Sequence, residues 1–262
     1  MYVSYFPGCT LKTKAVRLDR CARKSAEILG IELQELDSWQ CCGGAFTSAA
    51  DEVATKLSSV RALAEAERLG RPLVSVCSAC YNVLKQTDHA FKTDPEFASK
   101  VRRYLAPDEC YNGGTEVLHL LELLRDKVGF ENIAKKVVNP LKGVKIAAYY
   151  GCMLLRPSDV LGLDDPENPS VMEELIRALG GEAVGWSQRN ECCGGYVLLE
   201  SPELAKKRSL EISSDAAAAG ADMIVTACPL CRYNLDKAGS GLPTVYFTEL
   251  LAKALGAEVD EI

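Results

Sequence analysis

Ten of the twelve cysteines in this 262-residue chain spell one five-cysteine pattern twice. The first copy is Cys9, Cys41-Cys42, Cys77 and Cys80; the second is Cys152, Cys192-Cys193, Cys228 and Cys231. Each reads Gly-Cys, then Cys-Cys-Gly-Gly, then Cys-x-x-Cys. From the second cysteine of the adjacent pair to Cys-x-x-Cys the interval is 35 residues in both copies, 42→77 and 193→228. The first interval differs, 32 residues for 9→41 against 40 for 152→192. The eight extra residues fit an insertion over 158–169, a stretch rich in Asp, Pro and Gly. A repeat this long constrains the whole architecture. It predicts two similar domains, residues 1–140 and 141–262, which meet near Asn139-Pro140.

Each copy alternates strand and helix. Short β-rich apolar runs at 3–6, 74–76, 146–150 and 223–226 lead into cysteines. Helical stretches follow at 14–29, ending at Gly30, and at 171–179, ending at Gly180-Gly181. Two longer ones, 51–69 and 202–219, come after the Cys-Cys-Gly-Gly turns. Residues 117–124 resemble 245–251, so the copies also match beyond the last cysteine. The expected fold class is therefore α/β, with a small, mainly parallel sheet flanked by helices in each domain. Ligands of such sheets bind beyond the carboxyl ends of the strands, where all five cysteines of a copy could converge.

Composition bounds the chemistry. With 48% hydrophobic and 25% charged residues the chain can bury a core, which excludes a disordered polypeptide. A formal charge of -6 argues against nucleic acid as a partner. No window has eighteen apolar residues and residues 1–9 have no basic, apolar leader, so the expectation is no membrane span and a cytoplasmic location. In a reducing compartment cysteines serve metals or redox work rather than disulfides. Structural zinc needs four ligands, whereas each copy offers five thiols. Adjacent cysteines such as Cys41 and Cys42 also fit poorly round one small ion. A polynuclear iron–sulfur cluster spreads its irons, so neighbouring cysteines can bind different ones. Gly43-Gly44 and Gly194-Gly195 let backbone N–H groups turn toward sulfur, and Pro229 fits the first turn of a helix.

Other residues have blander readings. Cys21 lies in a helical pattern as a small buried hydrophobe, and Cys110 sits in a loop as a non-ligating thiol. His89 and His119 are the only histidines. His119 reads as structural, with a proton donor beside the metal site as the sharper alternative. Arg156, Arg189 and Arg232 lie near cysteine motifs and could attract anionic groups or be solvated surface charge.

The paired motifs resemble the CCG-domain iron–sulfur proteins, the family of the heterodisulfide reductase B-subunit, HdrB. The resemblance covers nearly the whole chain. It is most specific at Tyr150-Gly151-Cys152-Met153-Leu154-Leu155-Arg156-Pro157-Ser158-Asp159, followed by Asp165-Pro166-Glu167-Asn168-Pro169. It implies two noncubane [4Fe-4S] clusters, one per domain, with Cys9, Cys41, Cys42, Cys77 and Cys80 holding one. Cys152, Cys192, Cys193, Cys228 and Cys231 would hold the other. It further implies a catalytic subunit that reduces a disulfide, CoM-S-S-CoB or a related one, to two thiols. Electrons would come from an HdrC-like ferredoxin-type partner and an HdrA-like flavin protein, with hydrogenase or formate dehydrogenase modules behind them. The chain has no G-x-G-x-x-G or Walker loop, so neither flavin nor nicotinamide is expected on it. The same domains also occur in electron-relay subunits of lactate, glycolate, glycerol-3-phosphate and succinate:quinone-type enzymes, and in sulfur-oxidising complexes. A zinc-stabilised scaffold is the non-enzymatic alternative.

Overall fold

A computed structural model describes residues 1–44 and 52–259. In the first half, β1 (Tyr2–Phe6) leads into α1 (Cys9–Thr13) and α2 (Val16–Leu29), then β2 (Glu32–Glu35), α3 (Glu52–Arg68) and β3 (Leu73–Ser75). After α4 (Ser78–Thr93) and α5 (Pro95–Tyr104) come β4 (Val117–His119), α6 (Leu120–Leu123) and α7 (Phe130–Ala134). The second half runs β5 (Lys145–Tyr149), α8 (Ser158–Leu161), α9 (Val171–Ala178), β6 (Glu182–Val184) and α10 (Pro202–Ala218). It closes with β7 (Met223–Thr226), α11 (Pro229–Ala238), β8 (Thr244–Tyr246) and α12 (Phe247–Ala254).

The strands form two four-stranded sheets, ordered β2-β1-β3-β4 and β6-β5-β7-β8, and every pairing is parallel. Strand order reverses between β1 and β3 in one sheet and between β5 and β7 in the other. At such a switch point the loops leaving the two strands diverge and open a crevice at their carboxyl ends. Cys9 and Cys77 follow β1 and β3 there; Cys152 and Cys228 follow β5 and β7.

The expected helix at 14–29 is α2, which begins two residues later, and a separate one-turn α1 precedes it. Lys14 and Ala15 both donate to the Thr10 carbonyl, at 3.0 and 2.9 Å, which closes α1 before α2 begins. Pro7-Gly8 marks a turn in the sequence, and this hides a one-turn helix starting at Cys9. On α2 the buried side chains Leu18, Cys21, Ala22, Ser25 and Ala26 lie on one face, and left-handed Gly30 ends it. The expected helix over 51–69 is α3; residue 51 lies outside the described residues. The eight-residue excess of the second copy is the short α8 and the turns that follow it.

One apolar core runs through both halves, from Val3, Tyr5 and Leu63 to Ile146, Met172 and Phe247. Helix α12 packs on α2, where Thr248 Oγ1 donates to the Leu18 carbonyl at 3.1 Å. Helix α4 reaches the other way: Tyr81 donates to the Leu161 carbonyl at 3.1 Å, and Asn82 Nδ2 to the carbonyls of Met153 and Arg156 at 2.8 and 2.7 Å. Both cysteine crevices are thereby fixed relative to each other by buried polar contacts. Among the described residues no helix is long and apolar enough to cross a membrane.

Candidate functional site

Each half gathers its five thiols in the same way. In the first, Cys41 Sγ lies 3.7 Å from Cys9 Sγ and Cys42 Sγ lies 3.5 Å from Cys80 Sγ. In the second, Cys152 and Cys192 are 3.7 Å apart, and Cys193 and Cys231 3.5 Å. Cys77 and Cys228 cap the N-termini of α4 and α11. These separations are too long for a disulfide and close to the edge of a tetrahedron of sulfurs round a metal with bonds of about 2.3 Å. Among the described residues no three Cys, His, Asp or Glu side chains converge as a single-ion site. In the first set the sulfurs run one to the next instead, from Cys9 through Cys41, Cys42 and Cys80 to Cys77, a spread that fits ligands of separate irons in a polynuclear group.

Burial divides each set into floor and rim. Cys42, Cys77 and Cys80 are buried, as are Cys193, Cys228 and Cys231. Cys9, Cys41 and Cys192 are exposed and Cys152 is half-buried, so each site is open on one side. Protons are shared unevenly within the sets. Hydrogen bonds from Cys41 and then Cys80 pull Cys42 down to about 3, while sharing with Cys42 pushes Cys41 and Cys80 up. In the second set Cys152 holds Cys192 down to about 6 and is itself pushed up. Each site thus has a thiol that ionises readily, the form a metal binds.

The backbone explains the glycines of the motif. Gly8 has φ +79°, and a Cβ there would meet Cys80 Sγ at 2.6 Å; at Gly151, φ +64°, it would meet Cys231 Sγ at 3.1 Å. The glycine of Gly-Cys is therefore needed for both conformation and space. The Gly194 N–H points to Cys192 Sγ at 3.4 Å, as the sequence suggested for this turn.

Several supporting residues carry no signal in the cysteine pattern. Ser59 Oγ and Ser209 Oγ, at matching places on α3 and α10, donate to the carbonyls of Cys42 and Cys193 at 3.4 and 3.1 Å. Asn234 Nδ2 also reaches the Cys193 carbonyl, at 3.3 Å. Tyr196 leaves the second Cys-Cys-Gly-Gly turn and donates to the Gly44 carbonyl of the first at 2.8 Å. Burial, reinforced by thiolates of both sites, pushes its phenol up to about 12. A lone tyrosine that breaks the match between the copies was the only sequence signal for it.

The other candidates lie away from the thiols or are already paired. Cys21 is buried on α2 and Cys110 is exposed in its loop. His119 is fully buried, between the rings of Tyr81 and Phe247, and burial pushes it down to about 3. Arg156 pairs with Glu167 at 2.8 Å, Arg189 with Glu173 at 3.1 Å, and Arg232 with Glu249 at 2.7 Å.

Two parallel sheets, each with five thiols at its switch point, define a duplicated cysteine-rich protein suited to polynuclear metal sites. The cysteine-rich CCG domain matches residues 3–85 and 146–236, and the chain belongs to that family. It is 33% identical to the 8-methylmenaquinol:fumarate reductase membrane anchor subunit of Wolinella succinogenes, over 99% of this chain and 94% of that protein. It is 30% identical to the B-subunit of the ferredoxin/F420H2-dependent CoB-CoM heterodisulfide reductase of Methanosarcina acetivorans, over 99% of this chain and 91% of that one. A heterodisulfide reductase B-subunit-like protein of Archaeoglobus profundus is 31% identical over 98% and 91%. The chain is an oxidoreductase subunit of this HdrB-like kind.

Proposed function

We propose that the chain is the substrate-reducing subunit of a heterodisulfide reductase-type complex, its two sets of five cysteines holding two noncubane [4Fe-4S] clusters. The observation that carries this reading is the pair of five-thiol sets flanking one seam, crossed by the Tyr196–Gly44 hydrogen bond. When bound, two such clusters supply one electron each to a sulfur–sulfur bond and an iron to each emerging thiolate. The protein's part is placement. The buried floor thiols are held by α4 and α11, and Ser59 and Ser209 fix the carbonyls of Cys42 and Cys193. The exposed rim thiols leave each set accessible from one side. Electrons would enter from an HdrC-like ferredoxin-type partner, fed by an HdrA-like flavin protein. The work would take place in the cytoplasm on CoM-S-S-CoB or a related disulfide.

Metal and acid-labile sulfide analysis of anaerobically purified protein tests the reading. About eight irons and eight sulfides per chain, with an EPR signal that changes on adding one particular thiol, is the expected result. Zinc without sulfide would overturn it.

A second reading has its own observation. Tyr196, Val197, Leu199, Leu204, Leu230 and Tyr233 are exposed on the turn after Cys193 and on α10 and α11. Such apolar side chains suit a surface that docks onto a partner or lipid. With the likeness to a fumarate reductase anchor subunit, they favour an electron relay between quinol and a catalytic subunit. Two full clusters with no response to any thiol, and reduction by a menaquinol analogue in liposomes, would select this reading.

A further inference from the structure

The two Cys-Cys-Gly-Gly turns are the most alike stretches of the copies, and the next residue is where they part: Ala45 in the first, Tyr196 in the second. A tyrosine carries an apolar body and a polar tip far enough to reach another loop. The Tyr196 hydroxyl donates to the Gly44 carbonyl, 152 positions away in sequence. It also lies 3.9 Å from Sδ of Met153, the neighbour of Cys152. Gly44 in turn abuts Cys42, since a Cβ on it would stand 3.5 Å from that sulfur. The phenol therefore joins the wall of one thiol set to the wall of the other. It is 40% exposed, so one side meets solvent and the other covers the seam. Cys228 and Cys152 from one set and Cys42 and Cys77 from the other all bear on it electrostatically.

We infer that Tyr196 is a latch across the seam between the two cysteine sites, closed in this structure, which a small thiol or disulfide must open to reach both. The identity of the ligand rests on the proposed function; the latch itself rests on geometry. A single half-exposed neutral hydrogen bond holds it, which biases the closed state by about two- to tenfold. A bound ligand can displace a bond of that strength. The turn begins at Gly194-Gly195, where the backbone is permissive. Among the described residues only the second copy supplies this phenol, so the two sides of the seam are unlike. That asymmetry suits a disulfide whose two thiols differ, in spite of the near-twofold cysteine pattern. Tyr196 is thus a positioning residue that acts on access and orientation.

Tyr196→Phe keeps the ring and removes the hydroxyl. Hydrogen–deuterium exchange on the purified full chain reads the latch without reference to metal. Exchange at residues 41–44 and 192–196 should rise by about two- to tenfold in Tyr196→Phe and stay constant elsewhere. The second readout is anaerobic titration of the oxidised protein with 2-mercaptoethanol as probe, followed by EPR. Half-saturation should come at a concentration about two- to tenfold lower in Tyr196→Phe and be unchanged in the control Tyr233→Phe. General damage to the fold would not improve binding. Unchanged exchange in the two turns overturns the latch, as does faster exchange with unaltered or weaker thiol binding. Wild-type protein without iron would count against the proposed function, and the exchange comparison would still decide the latch.

Discussion

Tyr246, at the end of β8, donates its hydroxyl to the carbonyl of Val76, the residue just before Cys77 in the opposite half. The same hydroxyl lies 2.6 Å from the carbonyl of Ala227, which precedes Cys228. One buried phenol thus ties together the two chain segments that deliver the Cys-x-x-Cys pairs. Ser78 adds to the tie, since its Oγ donates to the Ala227 carbonyl at 2.8 Å. Tyr246→Phe removes a donor that the Val76 carbonyl cannot replace with water. Stability should fall by about 1–3 kcal/mol, read as a lower urea midpoint with an unchanged slope. An unmoved midpoint would show that the tie contributes nothing.

The floor thiols make a sharper test of the cofactor than the whole protein does. Cys42→Ser and Cys193→Ser each should lower the iron content to about half, about four per chain, because each damages one site and spares the other. Cys21→Ala and Cys110→Ser, which lie outside the two sets, should leave the count unchanged. A variant of either set that loses all iron would show that the sites are not independent.

Gly8 and Gly30 share a positive φ, +79° and +78°, but differ in surroundings. An added Cβ at Gly30 meets nothing within 4 Å, whereas at Gly8 it would meet Cys80 Sγ at 2.6 Å. Gly30→Ala should cost about 1 kcal/mol of backbone strain and leave metal content alone. Gly8→Ala should cost more and also reduce iron at the first site. Equal iron content in the two variants would contradict the close approach to Cys80.

His119 provides a pH signature. Burial holds its folded-state pKa near about 3, far below the unfolded value of about 6.5. Between those values the unfolded chain binds a proton that the folded chain does not. The contribution of a neutral His119 is therefore complete above about pH 6.5 and is lost as pH falls toward 3, by up to about 1.4 kcal/mol per pH unit. Urea midpoints of wild type and His119→Gln, compared at pH 7.5 and 5.5, should diverge in that sense. A constant difference between the two proteins would place the histidine in contact with water.

His119 and Tyr246 are equivalent positions: His119 pairs with Ser75 across β3–β4, and Tyr246 with Thr226 across β7–β8. Counting back from Glu122-Leu123-Leu124 and Glu249-Leu250-Leu251 gives this equivalence in sequence, whereas counting forward from Val117 and Val245 sets His119 against Phe247. That both side chains are fully buried where the halves meet is not legible there. Periodicity locates strands and helices within each copy but carries no information on which outer faces will be paired. Cys9 shows a local limit of the same kind. Its own one-turn helix was masked by Pro7-Gly8, and Cys152 at the matching place starts no helix.

By itself the sequence determined the duplication, the cysteines that belong together and the alternation of strand with helix. These are written in spacings and in local period, which depend on covalent neighbours. The tertiary structure alone decided that Asn82 reaches the Cys152 turn, that Tyr246 clamps both Cys-x-x-Cys segments and that Tyr196 crosses to Gly44. Those that cross between the halves join residues 71 to 170 positions apart. They exist because two apolar faces of complementary shape were buried against each other, and shape complementarity is a property of the folded surface.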